Sequence, residues 1–305
     1  MTQHNPEKAF TMTLRSWLFV PGDSEAKLAK VATSGADVVI VDLEDAVAPG
    51  AKAHARVLAR DWLSAHRPKV LSGNGFARWV RINALDTPLW REDLAMAMAG
   101  APDGVMVPKA AGPEQLQSLA GELYEHEQRH GIANGSTRIL PLVSETAAAA
   151  LVIAAYATAP IPRLAGLTWG AEDLSAALGA SRKRDARGVW TDTFRMVRAT
   201  VLLAAHARGV AAVDTLHADF RDLDGLKKVA EASHADGFSG MLAIHPAQVP
   251  IINAAFSPNA EAIAEAQAIV EAFAANPGAG ALQLDGRMID QPHLVQARKL
   301  LESLR

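Results

Sequence analysis

Short apolar segments alternate with helical stretches along most of the chain, and this alternation is the strongest constraint on its fold. The segments are nearly continuous in hydrophobic residues, as expected for parallel strands that are buried on both faces. The candidate strands are 17–20, 37–43, 77–82, 104–107, 138–143, 166–169, 210–213 and 240–244. Helices are predicted between them, for example at 24–33, 51–65, 113–130 and 192–208. Eight strand–helix units favour an α/β TIM (β/α)8 barrel, with an open doubly wound sheet as the alternative.

The pattern changes from residue 257 onward. A helix rich in alanine and glutamate opens at Pro258 and ends near 276–278. A glycine-rich turn follows, then the apolar stretch 282–289 and a last helix from Pro292. This segment cannot form a ninth barrel unit. We therefore predict a catalytic barrel at 14–256 and a C-terminal helical extension at 257–305, which packs on the barrel or on a neighbouring subunit.

Composition and charge exclude several classes of function. The chain has 305 residues and no cysteine, so a disulfide framework, a thiolate metal site and a cysteine nucleophile are excluded. The net charge of −3 provides no basic excess for nucleic acid or an anionic membrane. Residues 1–13 are polar and resemble no secretion signal, and no apolar run approaches the length of a membrane span. We expect a cytoplasmic enzyme.

Polar and charged side chains follow several consecutive candidate strands. In a barrel, the carboxyl ends of the strands converge on the active site, so these side chains are the candidates for catalysis and binding. They are Asp42, Glu44 and Asp45 after the second strand, Arg81 and Asn83 after the third, Lys109 after the fourth, Glu145 after the fifth, and Glu172 and Asp173 after the sixth. Solvation alone does not explain charges at so many successive strand ends.

Glu145 and Asp173 are about one strand–helix unit apart, so adjacent strand ends would place them side by side. Two neighbouring carboxylates repel each other, and a hard divalent cation relieves that repulsion. Magnesium typically binds one or two carboxylates together with waters and substrate oxygens. The alternative is structural: Ser144 caps a helix, and Glu145 and Asp173 each complement the dipole of a first helical turn.

The cationic candidates suit anionic groups of a substrate. The planar fork of Arg81 matches a carboxylate, although a salt bridge to Asp42 or Glu44 is an equal alternative. Arg15 precedes the first strand and Lys109 follows the fourth, and either could bind a phosphate or a carboxylate. A solvated surface position is the usual alternative for such side chains.

Seven short motifs, in order, resemble those of the HpcH/HpaI aldolase and citrate lyase β-subunit superfamily. They are RSWLFVPG at 15–22, DLEDAV at 42–47 with Lys52 and Arg56, VRIN at 80–83, SET at 144–146, GAEDL at 170–174, AIHPAQ at 243–248 and GRMID at 286–290. Each motif alone is weak, but together they cover about residues 14 to 304.

The resemblance implies a magnesium-dependent carbon–carbon lyase that acts on coenzyme A thioesters and keto acids such as oxaloacetate. It implies Mg²⁺ held by Glu145 and Asp173, a substrate carboxylate held by Arg81, and a homotrimer or hexamer. In related lyases an aspartate from a neighbouring subunit completes the site, and Asp290 matches that position. Lys27, near the end of the first strand, is expected to meet the coenzyme A phosphates. Citryl-CoA, malyl-CoA and citramalyl-CoA remain alternative substrates.

Two other classes of function remain as alternatives. His126, Glu127 and His130 match the H-E-x-x-H pattern of zinc proteases, in which two histidines bind the metal and the glutamate acts as base. Gly131 ends that helix at once, and in a barrel the helix would lie on the outside, remote from the active-site end. A non-catalytic subunit on the same fold is the other alternative, because a fold does not determine a function.

Overall fold

Eight parallel strands form the central sheet of the computed structural model, which describes residues 14–71, 75–302 and 304. The strands are β1 Ser16–Pro21, β2 Val38–Asp42, β3 Ala77–Arg81, β4 Gly104–Val107, β5 Arg138–Pro141, β6 Gly166–Thr168, β7 Ala211–Asp214 and β8 Gly240–Ala243. Their order is β5-β4-β3-β2-β1-β8-β7-β6. Parallel bridges from Ile139 to Leu164 and from Leu142 to Thr168 join the two outer strands. The sheet therefore closes into a TIM barrel, and the open-sheet alternative is excluded.

Alternate residues of each strand face two different cores. In β2, Val38 and Ile40 belong to the core inside the barrel, whereas Val39 and Val41 pack under the surrounding helices. Trp17 and Trp79 meet edge to face inside the barrel, with ring centroids 5.0 Å apart. A Cβ atom on Gly104 would lie 2.5 Å from the Trp79 ring, so glycine at that position makes room for the indole.

Helices surround the barrel. They are α1 Glu25–Val31, α2 Lys52–Leu71, α3 Trp90–Ala99, α4 Pro113–His130, α5 Ala147–Leu151, α6 Ala171–Leu178, α7 Asp192–Arg208, α8 Leu223–Asp236 and α9 Val249–Ala255. The bounds predicted for α4 and α7 are those observed, but α2 continues through Pro68 to Leu71, beyond the predicted end at 65. None of the described helices combines the length and the apolar character needed to cross a membrane.

The chain divides into two compact units, Leu14–Phe256 and a second unit that holds Ser257–Arg305. The second unit contains α10 Ala260–Ala275, β9 Ala281–Leu284, β10 Arg287–Asp290 and α11 Gln291–Glu302. The apolar stretch 282–289 forms an antiparallel hairpin, because Asp285 and Gly286 both adopt positive φ at its turn. Ile269, Phe273, Ile289 and Leu294 are buried in a small core of this unit. The predicted absence of a secretion signal concerns residues 1–13, which lie outside the described residues.

Candidate active site

The charged residues that follow the candidate strands lie at the carboxyl end of the barrel. Asp42 and Arg81 are the last residues of β2 and β3, and Lys109 follows β4 after Pro108. Glu145 follows β5, and Asp173 lies in the first turn of α6, directly after β6. Parallel strands bring their carboxyl ends to one rim, so residues far apart in sequence come together there.

Arg81 lies between two buried carboxylates. Its Nε and Nη2 atoms donate to the Asp42 carboxylate at 2.7 and 2.6 Å, and its Nη1 is 3.0 Å from Glu44 Oε2. The guanidinium also lies 4.8 Å from the Phe19 ring centroid. Burial alone would lower the pKa of Arg81, but the bonds to Asp42 and the charge of Glu44 outweigh burial and raise it. The salt bridge considered from the sequence therefore exists, and it fixes the orientation of the fork.

The ammonium of Lys109 contacts Glu44 and lies 3.3 Å from Asp45, which is largely exposed. Burial raises the pKa of Glu44, although the charges of Arg81 and Lys109 act against it. Burial would lower the pKa of Lys109, but its bond to Glu44 raises it above the usual value. The ammonium of Lys109 is thus paired with two acidic side chains, and its role as a ligand for a substrate phosphate or carboxylate stays a prediction.

Glu145 is 3% exposed and lies near Asp173 without a cationic side chain bonded to it among the described residues. Its only described hydrogen bond comes from the main-chain N–H of Lys109. Burial raises the pKa of Glu145 to about 8, and the charges of Asp173 and Glu44 add to that effect. A Cβ atom on Gly170 would lie 2.9 Å from Glu145 Cγ, so glycine there admits the side chain.

The helix-capping alternative for Glu145 is wrong. The cap of α5 is Thr146, whose Oγ1 accepts from the N–H of Ala149 at 3.1 Å. Ser144 instead accepts from the N–H of Gly170 at 3.3 Å. Asp173 does occupy the first turn of α6, so the dipole of that helix favours its charge.

The donor set fits magnesium better than a transition metal. No group of three or more histidine, aspartate or glutamate side chains with metal-binding geometry occurs in the described part of the chain. Two carboxylates with room for waters and substrate oxygens are what magnesium commonly uses. A buried carboxylate with a raised pKa and an acidic neighbour is stabilised in its charged form by such a cation.

A layer of polar side chains lies behind the rim, and the sequence singled out its Lys52 and Asn83 but not its Asp93. The Lys52 ammonium donates to the carbonyls of Leu43 and Glu44, each at 2.7 Å, and to Asn83 Oδ1 at 2.9 Å. Asp93, which is fully buried on α3, accepts from Asn83 at 2.6 Å. The sequence could have indicated a buried role for Asp93, because this charged residue lies on the apolar face of α3.

Asp214 at the end of β7 anchors a second buried cluster. It accepts from Trp169 Nε1 at 2.7 Å, from Arg198 Nε at 2.9 Å and from the N–H of Thr215 at 2.8 Å. Ser233 also donates to it. Like the other rim acids, Asp214 directly follows an apolar strand, so the strand-end argument could have found it.

Arg15 lies away from the rim, and its role in substrate binding stays a prediction. Arg15 precedes β1 and therefore lies at the amino end of the barrel, opposite the rim. Its Nε and Nη2 atoms donate to Asp37 at 2.8 and 2.9 Å. Lys27 lies on α1, which follows the carboxyl end of β1, and its side chain is exposed.

The zinc-protease alternative is also wrong. Glu127, the residue that would act as base, is fully buried and forms a two-pronged ion pair with Arg163 at 2.6 and 2.7 Å. The N–H groups of Gly135 and Thr137 occupy the same carboxylate. His126 is buried, whereas His130 is exposed. Glu127 therefore fixes the end of α4 and has no free oxygen for a water or a substrate.

Asp290 lies in the C-terminal unit at the end of β10. Its carboxylate is 2.6 Å from Nδ1 of His293, in the first turn of α11, and is partly exposed. The contact joins two side chains, and the main-chain N–H of Asp290 donates to the same ring nitrogen at 3.2 Å, so Asp290 forms no hydrogen bond of the helix-capping type with α11 among the described contacts.

Comparisons with known proteins agree with this geometry. The model of the HpcH/HpaI aldolase/citrate lyase family matches residues 15–246. A citrate lyase subunit beta-like protein of Mycobacterium tuberculosis is 38% identical over 93% of each chain. A (3S)-malyl-CoA thioesterase of Cereibacter sphaeroides is 34% identical over 94% of this chain and 93% of that protein.

A solved structure extends the comparison to the fold. The protein CitE from Mycobacterium tuberculosis, in complex with magnesium, acetoacetate and coenzyme A, superposes with a TM-score of 0.77 and 34% identity. The match covers 96% of this chain and 99% of that one. The closed barrel, the rim of charged side chains and these relatives agree, and the chain belongs to the HpcH/HpaI aldolase/citrate lyase family.

Proposed function

We propose that this protein is a magnesium-dependent carbon–carbon lyase that cleaves a 3-hydroxyacyl-CoA, such as citryl-CoA, to an acyl-CoA and a keto acid such as oxaloacetate. Malyl-CoA and citramalyl-CoA are alternative substrates of the same site. The observation that carries the proposal is the pair of neighbouring carboxylates, Glu145 and Asp173, close to the buried fork of Arg81. The CitE relative with magnesium, acetoacetate and coenzyme A supports the same classes of ligand.

Glu145 and Asp173 would hold the magnesium ion. When bound, the ion would supply Lewis-acid stabilisation to the hydroxyl and carboxylate oxygens of the substrate. The site favours this use because burial has removed Glu145 from water without giving it a cationic partner among the described side chains. Its hydrogen bond from Lys109 fixes one carboxylate oxygen and leaves the other for a ligand.

Arg81 would orient a substrate carboxylate. A guanidinium has five N–H groups on three nitrogen atoms. The contacts with Asp42 and Glu44 involve one N–H group of each nitrogen. N–H groups therefore remain for a bidentate grip on a carboxylate, and the group is already oriented before the substrate arrives. Such preorganisation lowers the entropic cost of reaching the reactive geometry.

Cleavage then follows a retro-Claisen course. The substrate hydroxyl gives its proton to a solvent water, the neighbouring C–C bond breaks, and its electron pair passes to the thioester enolate as the keto acid forms. A carboxylic acid returns a proton to the enolate carbon, and Asp290 of a neighbouring subunit is proposed for that role. No lysine nucleophile is required, and the raised pKa of Lys109 keeps that amine protonated.

The direct test is an assay of the purified chain against citryl-CoA, malyl-CoA and citramalyl-CoA, with and without Mg²⁺. A lyase releases equal amounts of acyl-CoA and keto acid, and chelation abolishes the release. The thioesterase relative provides a second candidate function, which would release free coenzyme A and the intact hydroxy acid instead. Failure to turn over any of the three thioesters by C–C cleavage would contradict the proposal.

The shared site needs a separate test. Asp290→Ala and Glu145→Ala should each be nearly inactive, because one loses the proposed acid and the other a metal ligand. Dissociating and reassembling a mixture should restore part of the activity, since some sites then combine an intact metal pair with an intact Asp290. No recovery despite proven subunit exchange would contradict sharing, and a fully active Asp290→Ala variant would remove Asp290 from the reaction.

A further inference from the structure

Lys109 adopts an unusual main-chain conformation at the centre of the rim. Its φ is +50°, in the left-handed region that lysine rarely adopts. The next residue, Ala110, donates its N–H to the carbonyl of Leu142 at 3.2 Å. Leu142 directly follows β5, so this bond holds the turn against the end of β5. Strained conformations of this kind persist only where surrounding contacts impose them, and they concentrate at functional sites.

The two ends of Lys109 meet different halves of the site. Its main-chain N–H donates to Glu145, one of the two proposed metal ligands. Its ammonium contacts Glu44, whose other oxygen lies 3.0 Å from the Nη1 of Arg81, the proposed carboxylate-binding group. One residue therefore joins the metal half of the site to the half that binds the substrate carboxylate.

We propose that Lys109 is a positioning residue: its left-handed main chain orients Glu145 towards the cation, and its ammonium neutralises Glu44 so that Arg81 remains available to the substrate. The inference rests on the proposed function, because it takes Glu145 as a metal ligand and Arg81 as a substrate ligand. Without the ammonium, the charge of Glu44 would act on Arg81 alone and compete with the substrate carboxylate.

The main-chain role is tested by two variants that lack the ammonium equally. Lys109→Gly accepts a φ of +50°, whereas the β-branched side chain of Lys109→Val resists it. Mn²⁺ binding is measured by electron paramagnetic resonance without any substrate. We expect the valine variant to bind Mn²⁺ about tenfold more weakly than the glycine variant, as for loss of a contact that orients a ligand. Equal affinities in two folded variants would refute this role.

The ammonium role is tested with Lys109→Met, which keeps the main chain and removes the charge. The probe is oxaloacetate binding by calorimetry at saturating Mg²⁺. We expect the Kd to rise about tenfold, which is within the range of couplings between contacting charged residues. In a Glu44→Gln background the same substitution should change the Kd by less than about threefold, because no charge at position 44 then needs neutralising. An equal loss in both backgrounds would refute the role assigned to Glu44.

A matched control is Lys227→Met, which removes a lysine paired with Glu231 on the outer helix α8 and should change neither binding constant. Failure of this inference is distinguishable from failure of the proposed function. If the unaltered protein binds Mn²⁺ and oxaloacetate and the Lys109 variants bind both as tightly, Lys109 is not a positioning residue. If the unaltered protein binds neither, the proposed function itself is wrong, and this inference falls with it.

Discussion

At the amino end of the barrel, three acidic side chains each meet an arginine, whereas at the carboxyl end the carboxylates outnumber the cations. The amino-end pairs are Arg15 with Asp37, Arg78 with Asp103, and Arg163 with Glu127. At the carboxyl end, Lys52, Arg81 and Lys109 lie among Asp42, Glu44, Asp45, Glu145 and Asp173.

The difference separates charges that stabilise the fold from charges that await a ligand. A buried ion pair with satisfied hydrogen bonds is balanced without any other molecule, and breaking it is costly. An acidic cluster that keeps a negative excess is costly to the fold until a cation binds, and the strained geometry of such sites is typical of function. Matched substitutions at the two ends can therefore test this assignment.

The largest effect is expected from Glu145→Gln at the carboxyl end. The substitution keeps the shape of the side chain but removes the charge that the cation would bind. Turnover of the thioester should fall by roughly 10²–10³-fold, as when a main electrostatic contact in a catalytic site is lost. Calorimetry should show loss of Mg²⁺ binding. Since burial already keeps the metal-free Glu145 largely protonated below pH 8, a glutamine of the same shape should not lower the metal-free melting temperature, and a large fall would contradict this expectation.

The same substitution at the amino end, Glu127→Gln, should lower the stability of the fold and leave metal binding and turnover unchanged. It leaves Arg163 buried without its charged partner, and breaking a buried pair in this way costs about 3–5 kcal/mol of unfolding free energy. Denaturant unfolding monitored by circular dichroism measures that loss. Mg²⁺ affinity and turnover per folded molecule should remain unchanged. If Glu127→Gln abolished metal binding, the distinction between the two ends would fail.

Arg81→Lys sharpens the comparison within the carboxyl end. The substitution keeps the positive charge but loses the fork that Asp42 orients, so a substrate carboxylate would be held less accurately. The value of kcat/KM should fall by roughly 10²-fold, while Mg²⁺ affinity changes little. Steady-state kinetics measures kcat/KM, and calorimetry measures the Mg²⁺ affinity. Unchanged kinetics would mean that Arg81 serves only to balance Asp42 and Glu44.

The remaining test is the pH dependence of the metal-free protein. Burial raises the pKa of Glu145 from its usual 4.5 to about 8, so between these values the folded state binds more protons than the unfolded state. This contribution to stability is fully present below pH 4.5 and is lost as pH rises towards 8. The melting temperature in EDTA should therefore fall more steeply with pH than in Glu145→Gln. Identical slopes would show that Glu145 is already ionised.

The fold and most of the rim could be predicted because they follow from patterns along the chain. Eight buried apolar segments separated by helices predicted the barrel, and strand ends converge by geometry, so Asp42, Arg81, Glu145 and Asp173 could be grouped in advance. Their catalytic roles remain predictions, because residue type and position do not measure affinity or turnover.

The remainder depends on contacts between distant parts of the chain. Arg15 is the first residue of a family-like motif and precedes its strand, so it lies at the amino end, and its partner Asp37 comes from the start of the next unit. Asp93 comes from a helix and reaches the rim layer through Asn83. The left-handed φ of Lys109 leaves no sign in the sequence, because lysine has no preference for that conformation.

A crystal structure with bound metal would show whether Glu145 and Asp173 hold one divalent cation. Anomalous scattering from Mn²⁺ would locate the ion, and a second crystal with Mg²⁺ would give the coordination distances. We expect one site at the carboxyl end of the barrel, with oxygens of both carboxylates roughly 2.0–2.1 Å from Mg²⁺. An ion bound elsewhere, or carboxylates that point away from it into the helix layer, would show that these residues are not the metal ligands.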